Sequence, residues 1–294
     1  MYNTRIVDDS NIQEAYVAAE ALNKFYSENK YLELSQISKG DGLKIGVIDS
    51  GIDMLHDDLS SRFMPGYNAF TGEEEGYKDV NGHGTYSMGL IASRNFGLLP
   101  NAEFYPIRVC SDTGTINLSA ITKAIKWCIE KDIDIILIAI TTETNYIELH
   151  EAIKEAHKAR IVIICSASND KGIVGYPAKY PETLAVSGID FDGTIPDFAS
   201  NQENIDMAMP CVDILSTYYY NRYAISSGNS VAAALAVNYV GLLQSLRKKQ
   251  NNCRLTVEQL KYFIQTNSVP IDDVEYGVPT FNKFSQYGYS FNRL

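Results

Sequence analysis

An α/β fold, a mostly parallel sheet with helices on both faces in three layers, is what this sequence predicts. Three observations carry the prediction. Several short runs are apolar at nearly every position. Stretches of helical period with one apolar stripe separate them. The residues able to do chemistry fall where the apolar runs end. Strands covered on both faces read as continuous apolar runs, and the helices that cover them are amphipathic.

In chain order, residues 10–28 read as a helix. Ser10 and Gln13 suit a capping box, and Ile12, Ala15, Tyr16, Ala19, Leu22 and Tyr26 recur on one face. The run "SKGDG" (38–42) breaks the chain, so residues 1–40 read as an N-terminal extension with one helix and 41–294 as the main domain. "LKIGVID" (43–49) is a buried strand, "HGTYSMGLIAS" (83–93) a helix start and "EFYPIRV" (103–109) a strand. "NLSAITKAIKWCIEK" (117–131) is a helix, "DIDIILIAI" (132–140) a strand, and "YIELHEAIKEAHKA" (146–159) a helix. "RIVIICSA" (160–167) and "TLAVSGI" (183–189) are strands. From Val231 to Leu243 only Asn238 and Gly241 are not apolar, which predicts a helix buried on every face.

Composition sets outer bounds. The chain has 294 residues, 45 % apolar and 21 % charged, enough for a sizeable core. Acidic residues outnumber basic ones by 36 to 25, for a net charge of −11, which argues against nucleic acid as a partner. The five cysteines form no C-x-x-C pair, and Cys110, Cys128 and Cys165 sit in apolar runs. They read as buried free thiols of a reducing compartment. The opening "MYNTRIVDDSNIQEAY" has no apolar core or cleavage site, so it does not read as a secretory signal, and the apolar run near the end is too short to span a bilayer. A cytoplasmic location is the expectation. "TGEEEG" (71–76) reads as an exposed loop, and His150 and His157 stand too far apart on one helix to share a zinc ion.

In open parallel sheets the functional groups gather at the carboxyl ends of the strands. Asp49 stands there in "VIDSGID", His83 leads a helix in "NGHGT", and Ser230 heads the apolar helix in "SSGNS". Alone, Asp49 also fits a turn, His83 a satisfied polar residue and Ser230 a helix cap. Together an acid, an imidazole and a hydroxyl are the parts of an activated nucleophile. Histidine takes the hydroxyl proton, and a buried carboxylate fixes its tautomer.

The chain resembles the subtilisin-like serine proteases. The order Asp, His, Ser is theirs, with Asp49 in "DSGID", His83 in "GHGT" and Ser230 in "SGNSVAA". "CSASND", "GYPAKYPETLAVSGID" (175–190), "DFASNQENIDMAMPCVDILST" (197–217), and "LTVEQLKYFI" with "YGVPTFN" are similar to further family segments. The resemblance runs from about Gly42 to Asn282. It implies a subtilisin-like fold and a serine endopeptidase acting through an acyl-enzyme on a peptide or protein substrate. Ser230 is the implied nucleophile, His83 the base, Asp49 its orienter and Asn169 the oxyanion donor. Ala139, Ile140, Thr141, Ala167, Ser168 and Gly175 are the implied substrate-binding residues.

Departures from the family pattern are Ser168 for glycine, Asn229 for threonine, Ala234 for proline, and Ala139-Ile140-Thr141 for Ser-Leu-Gly. They imply a reshaped pocket and a selective substrate, such as a precursor peptide. A non-catalytic binding protein and a peptide ligase or cyclase on the same scaffold stay open. No cofactor is implied. Secreted relatives bind calcium through a loop after the histidine helix. Here Ser93 to Pro100 encloses no carboxylate, and Asp58 alone reads as a surface or capping group, so no metal is expected.

Overall fold

The computed structural model describes residues 2–59, 63–74, 76–200, 204–271 and 277–291. Residues 75, 201–203 and 276, which belong to runs quoted above, lie outside the described residues.

The chain opens with β1 (Tyr2–Ile6), α1 (Ile12–Glu28) and α2 (Tyr31–Ser35). Then come β2 (Lys44–Asp49), β3 (Tyr67–Asn68), α3 (His83–Ala92), β4 (Glu103–Arg108) and α4 (Leu118–Glu130). β5 (Ile135–Ile138), α5 (Ile147–Lys158), β6 (Val162–Ser166), β7 (Leu184–Ile189) and β8 (Met207–Pro210) complete the main sheet. β9 (Ile214–Tyr218) and β10 (Arg222–Ser227) form a hairpin that leads into α6 (Asn229–Asn251) and α7 (Val257–Asn267). β11 (Ser268–Val269), β12 (Val278–Pro279) and α8 (Asn282–Gln286) close the described chain.

Seven strands make one parallel sheet in the order β3-β4-β2-β5-β6-β7-β8. β5, β6 and β7 are buried at every position, as their unbroken apolar runs require. α3 and α6 pack together on one face and α4 and α5 on the other, giving the expected three layers. The chain passes from β2 out to β4 and returns to β5 on the other side of β2. That reversal opens a crevice above the carboxyl ends of β2 and β5.

α6 is buried from Asn229 through Leu246. Asn238, in the middle of it, is tied down on three sides. Asn238 donates to the Leu90 carbonyl at 2.8 Å and to the Tyr26 hydroxyl at 3.0 Å, and accepts from the Leu98 amide at 3.2 Å. One amide thus joins α1, α3 and the chain after α3, where an unpaired buried amide would cost about 1–3 kcal/mol. A Cβ on Gly241 would lie 2.4 Å from the Leu99 side chain, so the glycine permits that close approach.

The N-terminal segment differs from its reading in detail. Asn11, not Ser10, precedes α1, and no side chain caps it. Ser10 is held instead by Asp8, whose carboxylate accepts its amide at 2.8 Å. Ile12 and Tyr16 are exposed, and the buried stripe is Ala15, Ala18, Leu22, Phe25 and Tyr26. Phe25 and Tyr26 pack as rings near Tyr31 of α2, and those large rings set the helix's rotation. β1 pairs antiparallel with β10, making the three-stranded sheet β1-β10-β9.

Candidate active site

Asp49 ends β2 above the crevice and is buried. Its carboxylate accepts the Ser50 amide at 2.7 Å and the Ser87 hydroxyl at 3.2 Å. His83 Nδ1 lies 2.7 and 2.8 Å from its two oxygens. Burial alone would raise the Asp49 carboxyl. The charge and hydrogen bond of His83, the Ser50 amide and the Ser87 hydroxyl outweigh it and hold the carboxyl below the usual carboxylate range. The contact fixes Nδ1 as the protonated nitrogen and leaves Nε2 facing the cleft as an acceptor.

His83 opens α3, and both flanking glycines are sterically required. Gly82 has φ +89°, and a Cβ there would lie 2.4 Å from the Tyr218 ring. A Cβ on Gly84 would lie 2.0 Å from the Gly51 carbonyl oxygen. The first turn of α3 is organised by Asp79, which sequence reading missed. Its Oδ1 accepts the Gly82 amide at 2.9 Å, the Asn81 amide at 3.1 Å and the Ser50 hydroxyl at 2.8 Å. Its Oδ2 accepts the Thr85 amide at 2.8 Å and the Thr85 hydroxyl. A carboxylate just before a helix start, with amides two, three and six residues on, is the available signal, since the exposed donors there need an acceptor.

Ser230 lies one residue inside α6, and the strand β10 delivers it through Gly228 at φ +141°. Its Oγ is buried and makes no hydrogen bond, so Ser230 and His83 are not joined in this resting geometry. Asn169 follows β6, two strands across from β2. Its Oδ1 accepts the Asn229 amide at 2.8 Å, which fixes the side chain and leaves Nδ2 free to donate elsewhere. Asn229 itself donates from Nδ2 to the Ser168 carbonyl. The amide, longer than a threonine hydroxyl, thereby ties the head of α6 to the strand end that carries Asn169.

A cleft of about 230 Å³ brings Asp49 and His83 together with Ala139, Ile140 and Thr141. Cys110 also lines it and was not anticipated; burial raises its thiol pKa. Ala167 and Ser168 sit at the end of β6, where Ser168 bonds Val174 and Asp170. Gly175 faces Thr141, whose Cβ would lie 3.3 Å from a Cβ added to the glycine. His150 and His157 pair with different glutamates, Glu182 at 3.1 Å and Glu258 at 2.6 Å.

The residues at the calcium position do not fit a calcium ion. Asp58 is buried rather than on the surface, and the Arg94 amide donates to its Oδ1 at 3.2 Å. The Arg94 guanidinium bonds the neighbouring Asp57 carbonyl. Calcium needs six to eight oxygens. Among the described residues no group of three or more His, Cys, Asp or Glu is placed to hold a metal. No chemical step is assigned to a metal. No helix among the described residues is long and apolar enough to cross a membrane.

A model of the subtilase family matches residues 40–289. An intracellular serine protease of Paenibacillus polymyxa is 32 % identical over 249 residues, covering 80 % of this chain and 76 % of the relative. The major intracellular serine protease of Bacillus subtilis (strain 168) is 28 % identical over 250 residues, covering 80 % and 78 %. Subtilisin E of the same strain is 30 % identical over 260 residues, covering 82 % and 68 %.

Proposed function

The chain belongs to the subtilase family, and from that premise we propose that it is a serine endopeptidase working through an acyl-enzyme on Ser230. The observation that carries the roles is the buried, doubly anchored Asp49–His83 pair opening onto the same cleft as Ala139, Ile140 and Thr141. Ser230 Oγ, buried and unengaged, is free to give its proton to His83 Nε2 as substrate closes the gap. Catalytic hydrogen bonds are often formed only in the substrate complex.

The hydroxyl oxygen attacks the substrate carbonyl carbon, and its proton passes to His83. Asp49, ionised throughout, stabilises the imidazolium that results. The negative charge on the carbonyl oxygen is met by Asn169 Nδ2 and the Ser230 backbone amide, the Asn229 amide being held by Asn169 Oδ1. His83 then protonates the leaving amine, and the bond to carbon breaks. Water repeats the sequence on the ester, restoring Ser230.

We divide the chain at residue 40, where the family match begins, into an extension and a peptidase domain (41–294). The four buried free thiols, Cys110, Cys128, Cys165 and Cys211, support a reducing, cytoplasmic setting, as do the intracellular names of two relatives. Thr141 against Gly175 supports a selective substrate rather than general turnover.

The test is a fluorophosphonate probe and a diverse peptide library, applied to wild type and Ser230→Ala. Wild type is expected to be labelled on Ser230 and to release amine termini, and the variant to do neither while melting like wild type. Labelling without cleavage would favour a ligase or cyclase, and no labelling a binding protein.

A further inference from the structure

α5 carries two histidines that the proposed chemistry does not use. His157 reaches across to Glu258 of α7 at 2.6 Å. His150 is held by more than one group. Its ring lies nearly flat on that of Tyr180, with centroids 3.9 Å and planes 11° apart, and its Nε2 lies 3.1 Å from Glu182 Oε2. An ionised carboxylate only accepts, so Nε2 carries the hydrogen. The stack fixes the plane of the ring, and the bond fixes its direction. The side chains of His150 and Glu182 are 25 % and 18 % exposed, so water competes for this bond less than for a surface pair.

The contacts of Tyr180 lead from that stack to the cleft. Tyr180 is buried, and its hydroxyl donates to Asn145 Oδ1 at 2.8 Å. The same hydroxyl lies 3.3 Å from the Tyr146 carbonyl, which also accepts the His150 amide at 3.0 Å. Burial pushes the Tyr180 hydroxyl up to about 12, so it remains a donor at neutral pH. Its ring packs on Tyr176, with centroids 4.8 Å apart. Tyr176 in turn exchanges two backbone hydrogen bonds with Thr142, at 2.7 and 2.9 Å. Thr141, one residue back, lines the cleft with Asp49 and His83 and packs on Gly175. Between the end of β5 at Ile138 and the start of α5 at Ile147, this wall has no helix or sheet of its own beyond the Thr142–Tyr176 bridge. These ties therefore set its place.

We propose that His150 is a positioning residue for the cleft: by holding Tyr180 it fixes how far the wall at 139–141 stands into the cleft, and so which substrate side chains the cleft admits. The inference rests on the peptidase reading for its substrate and on the contacts above for its geometry. His150 acts on the wall, while the Asp49–His83 pair is carried separately by β2 and α3. Its loss weakens binding and selection and spares the chemical step, so it falls on KM and not on kcat.

The experiment uses the full chain, a diverse peptide library and a short cleavage core chosen from it. His150→Ala is expected to raise KM for the core about ten-fold, to keep kcat within about two-fold, and to widen the range of side chains accepted from the library. Tyr180→Phe keeps the ring and removes the hydroxyl bonds, and it is expected to raise KM as well. The double variant is expected to be no worse than the more affected single one, because both act along one path. His157→Ala, on the same helix, is expected to change nothing. Unchanged KM and preference in His150→Ala, a loss confined to kcat, or an equal effect of His157→Ala would overturn the positioning role. A double variant showing the product of the two single effects would refute the shared path. If wild type cleaves no peptide of the library, the peptidase reading fails. Hydrogen exchange then decides the clamp by itself. The Thr142 and Tyr176 amides are expected to exchange about ten-fold faster in His150→Ala than in wild type, and equal exchange refutes it.

Discussion

Asp79→Ala is the sharpest test of how the site is held. The carboxylate accepts two buried backbone amides, Gly82 at 2.9 Å and Thr85 at 2.8 Å, besides the Asn81 amide and two hydroxyls. The hydroxyls can rotate to other acceptors, but the buried amides cannot. Each buried donor left unpaired costs about 1–3 kcal/mol, so the pair costs about 3 kcal/mol. At about 2–4 °C per kcal/mol for a domain of this size, Tm should fall by about 6–12 °C. His83 is the first residue of the helix that Asp79 anchors, so kcat/KM should fall about 10²-fold as the imidazole loses its placement. Asp79→Asn keeps the volume but points amide hydrogens at donors, and it should fail to rescue either quantity. Calorimetry and hydrolysis of the library-derived core measure both. An unchanged Tm and rate would refute the organising role. A lowered Tm with full activity would make Asp79 structural only.

Four further outcomes are expected. Asn169→Ala should lower kcat by about 10²–10³-fold with little change in KM, the range known for such a donor within this family; steady-state kinetics decides it. Asp49→Asn should lower kcat by about 10⁴-fold. The Asp49 pKa is depressed in the fold, so its stabilisation is fully present above the unfolded carboxylate value of about 3.9 and lost as pH falls through the folded one. Urea titrations should accordingly show the gap between wild type and Asp49→Asn shrinking only at acid pH below that value. Gly84→Ala forces a Cβ to 2.0 Å from the Gly51 oxygen and should lose soluble yield, or melt lower than Asp79→Ala, in parallel expression trials. A chelator should leave Tm and activity unchanged; a drop of several degrees reversed by added calcium would reveal an unread site.

The parallel sheet was legible because β2, β5, β6 and β7 are apolar at nearly every position and the covering helices keep a clear stripe. Ser230 and His83 were legible because small residues must surround them, and the glycines prove to be steric necessities. β9 and β10 were not legible. "RYAISS" mixes polar and apolar residues without alternation, since partners on both sides, β1 and β9, satisfy its backbone. β8 is four residues long and gives periodicity little room. Asp79 was less legible because its role is to accept amides from its own turn, and its only signal is its place just before the helix start. The rotation of α1 was misjudged at Ile12 and Tyr16 because their apolarity says nothing about which rings the body can receive.

The pairing of β1 with β10 has a consequence for biosynthesis. Thr4 bonds Ser226 across 222 residues of chain. At about 5–20 residues per second, a ribosome makes the second strand roughly ten to forty-five seconds after the first. Through that interval β1 is an open edge, able to accept a strand from another nascent chain. Its own partner, β10, is made immediately before Ser230, so the clasp and the proposed nucleophile are completed together. A half-made chain therefore lacks the proposed nucleophile, and the hazard it carries is mispairing.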